Sequence, residues 1–172
     1  MKRIIHIAFL CIAFAALTFT AKAAEPVVKT GIEVLRDRNF EILKGKRVGL
    51  VTNPSGVDRF LNSTVDILFN APDVELVALY GPEHGVRGDV YAGGHVTDTK
   101  DEATGLPVYS IYGATRKPTP QMLEGIDVMV YDIQDVGVRS YTFVSTLGLV
   151  REACGEKGIE VVVRDRPNPL GG

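Results

Sequence analysis

Apolar and polar positions alternate in two rhythms along this chain. Residues 31–43 place Ile32, Leu35, Phe40 and Leu43 at near-helical spacing, and residues 47–51 form a short apolar run that predicts a buried strand. That strand stops at Thr52-Asn53-Pro54-Ser55-Gly56, where proline and glycine interrupt regular structure. Residues 64–70 predict a helix, 74–80 a second strand and 107–111 a third. A brief helix over 119–124, with Thr119 as its N-cap, leads to a fourth strand at 127–132. A longer helix over 141–156, stopped by Gly158, precedes a fifth strand at 159–163. Strands this continuous in Val, Ile, Leu and Met are buried on both faces, so the pattern predicts an α/β fold with a mainly parallel sheet covered by helices.

Polar residues gather at the carboxyl ends of those strands. Asn53 follows the first, Glu83 and His84 the second, Asp132, Gln134 and Asp135 the fourth, and Arg164 and Asp165 the fifth. In an open parallel sheet these ends share one edge, and ligands bind in the crevice beside it. The amino ends carry ordinary solvated residues such as Lys44, Lys46, Asp73 and Glu75.

The amino terminus reads as an export leader over residues 1–23. Lys2 and Arg3 precede an uncharged apolar run, and Ala21-Lys22-Ala23 supplies small residues at cleavage spacing. The run is shorter than a comfortable bilayer span, so no stable membrane anchor is expected after cleavage, and the protein is expected to be periplasmic or secreted. Cys11 leaves with the leader and Cys154 remains, which excludes an internal disulfide in the mature chain. The formal net charge of −2, with both signs interspersed and no basic tract, gives no footprint for nucleic acid. Phosphate-loop, dinucleotide-fingerprint and serine-elbow motifs are missing, so no cofactor is expected. His84 and His95, without a cysteine cluster or a His-Glu-x-x-His motif, make only a weak metal site, and none is expected. His95 stands beside Gly93-Gly94, a pair that suits a lid next to the site.

Two segments carry the candidate chemistry. Tyr80-Gly81-Pro82-Glu83-His84-Gly85-Val86-Arg87-Gly88-Asp89 sets an acid, an imidazole and a guanidinium among glycines and a proline, whose restricted backbone can aim them at one point. A solvent-exposed turn with incidental charges is the competing reading. Tyr131-Asp132-Ile133-Gln134-Asp135-Val136-Gly137-Val138-Arg139-Ser140-Tyr141-Thr142 places Arg139 and Tyr141 two apart, on one face if the loop is extended. For Asp132 and Asp135, capping the following helix or pairing with Arg139 competes with catalysis.

With Thr52 to Gly56 and the closing run Arg164-Asp165-Arg166-Pro167-Asn168-Pro169-Leu170-Gly171-Gly172, these segments form four ordered motifs. Together they resemble the NamZ-type exo-β-N-acetylmuramidases, a glycoside hydrolase family, through nearly all of the mature chain. The resemblance implies release of N-acetylmuramic acid from the non-reducing end of peptidoglycan fragments in cell-wall turnover, with Glu83 as catalytic acid. It implies a Rossmann-like catalytic domain over residues 24–172, truncated before a second carboxy-terminal domain. The implied partner is a peptidoglycan-derived sugar or muropeptide.

The residues suit that chemistry in their own right. Glycoside hydrolysis needs a carboxyl group to protonate the leaving oxygen and commonly a second carboxylate as base or nucleophile. Glu83 is the first choice for the acid, with Asp132 and Asp135 as candidates for the second group. The lactyl carboxylate of N-acetylmuramic acid calls for a guanidinium, for which Arg87, Arg139 and Arg164 are the candidates. His84 is placed to orient Glu83 or contact a hydroxyl. Asn53, Gln134, Tyr141 and Asn168 complete the expected sugar contacts. A muropeptide-binding module without turnover is the alternative, and an esterase acting through Ser55 or Ser140 ranks last because no histidine and acid arrangement points to either serine.

Overall fold

The computed structural model describes residues 28–88, 91 and 99–169. The leader and His95 with its glycine pair lie outside the described residues. The elements in chain order are α1 (Gly31–Asp37), β1 (Arg47–Thr52), α2 (Thr64–Phe69), β2 (Glu75–Gly81), β3 (Thr99–Lys100), β4 (Pro107–Ser110), β5 (Val128–Asp132), α3 (Phe143–Lys157) and β6 (Glu160–Val163). One six-stranded sheet runs β3-β4-β2-β1-β5-β6. All neighbours are parallel except β3 and β4. Taken in chain order, the five parallel strands lie third, second, first, fourth, fifth, the doubly wound Rossmann order, which puts the switch point between β1 and β5.

Strand alternation divides the core into two layers. Val48 and Leu50 of β1, with Val128 and Val130 of β5, face Ile32, Leu35, Val65 and Leu68 of α1 and α2. Val51 of β1, with Met129 and Tyr131 of β5, faces Phe143, Val150, Ala153 and Cys154 of α3. A register shift opposite Val48/Gly49 lets Leu76 and Leu79 of β2 join the first layer while Ala78 and Tyr80 join the second. Removing one fully buried side chain such as Leu50 would cost about 2–5 kcal/mol.

Three expectations change in detail. The run over 31–43 is a short helix followed by a 3-10 turn at Glu41–Leu43, because Asn39 and Phe40 both take left-handed backbone, with φ of 49° and 53°. Burial of Phe40 and Leu43 compensates that strain, worth about 1–3 kcal/mol per residue. Thr119 does accept from the Met122 amide, at 3.3 Å, but residues 120–125 close only turns, since prolines and a glycine leave no room for a second helical turn. The long helix begins at Phe143, which leaves Tyr141 in the preceding turn, and ends at Gly158 as expected. β3 is an antiparallel edge strand of two residues, too short for a periodic signal.

Candidate active site

Thr52-Asn53-Pro54-Ser55-Gly56 curls back over the end of β1. The Asn53 side-chain oxygen accepts from the Ser55 amide at 3.0 Å and the Ser55 hydroxyl at 2.6 Å. Ser55 Oγ in turn accepts from the Gln134 amide at 2.9 Å, tying the loop to the end of β5. A Cβ on Gly56 would lie 2.0 Å from Thr52 Oγ1 and 2.9 Å from the Asp132 carbonyl, so only glycine permits this approach. Asn53 is buried and its carbonyl oxygen is engaged in shaping the loop. Ser55 is held the same way, with nothing in these bonds resembling an activated nucleophile.

Asp132 is fully buried at the switch point. Arg166 grips it with two parallel bonds, Nε to Oδ1 at 2.6 Å and Nη2 to Oδ2 at 2.9 Å, and Thr64 donates its hydroxyl to Oδ2. The third guanidinium nitrogen, Nη1, donates to the Val57 carbonyl at 2.9 Å, and Thr52 Oγ1 donates to the Asp132 carbonyl at 2.8 Å. Such an enclosed, doubly bonded pair joins β5, α2 and the chain after β6 and presents no oxygen to a substrate. The structural reading of Asp132 is therefore the one the geometry favours, with Arg166 in place of Arg139 as its partner.

Arg87 is also committed. Its guanidinium spans Asp101, at 2.5 and 3.0 Å, and Asp66, at 2.8 and 3.1 Å. Those bonds push Arg87 above the ordinary arginine range, and Arg87 holds the buried Asp101 below the ordinary carboxylate range. A cation already shared by two carboxylates is a poor receptor for a third, which corrects the expectation for this residue. Gly88 follows with φ of 80°, and a Cβ there would come within 2.6 Å of Pro54, so the loops after β1 and β2 pack directly together.

Glu83 lies in different surroundings. It is half-buried just beyond β2, and its Oε1 accepts from the Tyr112 phenol at 2.9 Å. That bond to the carboxylate raises Tyr112 above the ordinary tyrosine range. His84, also half-buried, takes left-handed backbone with φ of 75°, which costs energy for a residue with a Cβ and marks a conformation imposed by the surroundings. Tyr112 escaped the sequence reading because the third strand's carboxyl end was the one left without a candidate. Its signal was register: Gly81 pairs with Ser110, so positions two further on, 83 and 112, stand side by side.

A cleft of about 330 Å³ opens farther along the same edge, lined by Tyr131, Gln134, Asp135, Phe143, Arg164 and Asn168 among others. Strand spacing places it roughly 10–14 Å from β2, so Glu83 is not among its walls. Asp135 is exposed there and accepts from the Gly137 amide at 2.6 Å. The Gln134 side chain bridges the carbonyls of Asp135, at 2.7 Å, and Pro167, at 3.2 Å, and Asn168 is exposed beside it. Burial pushes Arg164 below the ordinary arginine range, the nearby Asp132 charge opposes that push, and Nε is enclosed without a partner among the described residues. Arg139 and Tyr141 are exposed, but the Tyr141 amide bonds the Val138 carbonyl at 3.0 Å. The segment is thus a turn, where residues two apart do not share a face, and Tyr141 packs its ring against Phe143 at 5.8 Å. Among the described residues no three His, Cys, Asp or Glu side chains converge as metal ligands would, and no helix is long and apolar enough to cross a membrane.

Residues 48–172 match the family described as Exo-beta-N-acetylmuramidase NamZ, N-terminal. Over 150 residues the chain is 55% identical to the peptidoglycan beta-N-acetylmuramidase NamZ of Bacillus subtilis (strain 168), an alignment covering 87% of this chain and 36% of that protein. A crystal structure of a DUF1343 family protein from Bacteroides fragilis NCTC 9343 has a TM-score of 0.78 at 62% identity, over 86% of this chain and 37% of its own. A second DUF1343 family protein from that organism has a TM-score of 0.66 at 30% identity, over 84% of this chain and 36% of its own. The chain spans little more than a third of the length of these relatives.

Proposed function

The chain belongs to the NamZ amino-terminal family, and from that premise we propose that it carries the acid group of an exo-acting glycoside hydrolase that releases N-acetylmuramic acid from the non-reducing end of peptidoglycan fragments. The observation that carries this reading is the half-buried Glu83 on the ligand-binding edge of a doubly wound sheet. The activity named for the Bacillus subtilis relative supports the same assignment. In this proposal Glu83 protonates the glycosidic oxygen as the bond to the sugar breaks, and His84 contacts the carboxyl or a sugar hydroxyl beside it. Asp135 is the remaining candidate for the second carboxylate, since Asp132 is enclosed by Arg166. The cleft beside β5 and β6 supplies Gln134, Asn168 and an apolar wall for sugar or peptide contacts. The charged start and apolar run of the leader support export to the compartment where such fragments arise.

Hydrolysis of a chromogenic β-N-acetylmuramide tests the proposal, using the leader-free chain and the longest protein its reading frame encodes. Glu83→Gln is expected to lower kcat by about 10²–10⁴-fold while sugar binding survives. A Glu83→Gln protein that hydrolyses at the parent rate would sink the assignment. Binding of muropeptides with no turnover in either length of protein would favour the second reading, a recognition module. The partial coverage of its relatives is what keeps that reading open.

A further inference from the structure

We propose that Tyr112 is a positioning residue for Glu83, holding Oε1 of the carboxyl group through its phenol. The proposal rests on the glycosidase reading above and goes beyond it by assigning a residue from the loop after β4 to the reaction.

The geometry begins with strand register. Leu79, Tyr80 and Gly81 of β2 pair in parallel with Val108, Tyr109 and Ser110 of β4. The pairing extends past the strands, because the Ile111 amide donates to the Gly81 carbonyl at 3.0 Å. Ser110 then closes a tight turn, its hydroxyl donating to the Tyr112 carbonyl at 3.2 Å and accepting from the Tyr112 amide at 3.4 Å. On the facing loop, the Gly85 amide donates to the Pro82 carbonyl at 3.0 Å, and His84 is fixed in its left-handed conformation. Both backbones are thus set before their side chains meet, and the 2.9 Å phenol–carboxylate bond joins two constrained loops.

The chemistry follows from the charge that develops on the carboxyl group. Acting as an acid, Glu83 gives up a carboxyl proton. When that proton passes to the leaving oxygen, the electron pair of the O–H bond stays on the carboxyl group and a full carboxylate forms. The bond from Tyr112 then becomes charge-assisted and strengthens as the transition state is approached. A hydrogen bond that gains strength during the step raises kcat more than it changes substrate affinity.

Tyr112→Phe removes only the hydroxyl and is expected to leave the thermal midpoint nearly unchanged. It should lower kcat about 10–100-fold with KM held within about twofold. A readout independent of turnover is the titration of Tyr112, followed by NMR of ring-labelled tyrosine. Because the Glu83 carboxylate raises that phenol, Glu83→Gln should bring its titration down toward the ordinary tyrosine range. Glu83→Gln inactive with Tyr112→Phe at the parent kcat would overturn the positioning role and leave the glycosidase reading intact. An unmoved Tyr112 titration in Glu83→Gln would overturn it at the level of the contact itself. Full activity in Glu83→Gln would instead remove the glycosidase reading, and the role of Tyr112 with it.

Discussion

Asp132 closes β5 and Glu83 follows β2, so both carboxylates stand on the same edge of one sheet, yet they are enclosed very differently. Asp132 has no exposed surface and accepts from Arg166 and Thr64, with its carbonyl held by Thr52. Glu83 is half-buried and meets a neutral phenol from the loop after β4. The first arrangement fixes the chain where three elements meet, and the second joins the loops after β2 and β4 at the edge of the sheet. A carboxylate at a strand's carboxyl end is therefore a site candidate only after its partners are known. A buried guanidinium with two aligned bonds removes it from the pool, whereas a neutral phenol does not.

The largest effect expected from breaking this contrast is on stability. Arg166→Ala strands the Asp132 charge in the interior and should cost about 3–5 kcal/mol, lowering the thermal midpoint by roughly 10 °C in calorimetry. Glu83→Gln should shift that midpoint little, and an equal loss from both variants would erase the distinction between the two carboxylates. Gly56→Ala comes next, since its Cβ would meet Thr52 Oγ1 and the Asp132 carbonyl. A loss of about 1–3 kcal/mol in urea unfolding is expected there.

Acid sharpens the comparison in another way. Arg59 holds the Glu33 carboxyl at about 2, against an ordinary value of 4.5, with the Thr30 amide and hydroxyl assisting. A depressed carboxyl stabilises the fold fully above pH 4.5, and that contribution fades as pH falls toward 2. The acid limb of stability should flatten in Glu33→Gln, while the pH dependence of hydrolysis should not follow it. The smallest effect is at Arg87, whose bond to exposed Asp66 is screened by water and whose buried partner Asp101 keeps the Thr104 amide and hydroxyl as donors. Arg87→Ala should lower stability by about 1 kcal/mol, with a smaller loss in high salt, and leave the proposed hydrolysis unchanged.

Local pattern was enough to find every parallel strand, both layers of the core and the edge on which the polar residues gather. It was enough to set Glu83 apart, because a loop of glycine and proline around an acid is itself a local feature. It also named Asp132 and Arg87, and here local pattern stops being informative. Whether a charged side chain is committed depends on what the sheet brings against it. Asp132 meets Arg166 across 34 positions, Arg87 meets Asp66 across 21 and Asp101 across 14, and Glu83 meets Tyr112 across 29. Strand identity follows from burial along a few consecutive residues, which the chain carries by itself. The choice between a carboxylate enclosed by a guanidinium and one met by a phenol follows from strand order and register, which exist only once distant segments have packed.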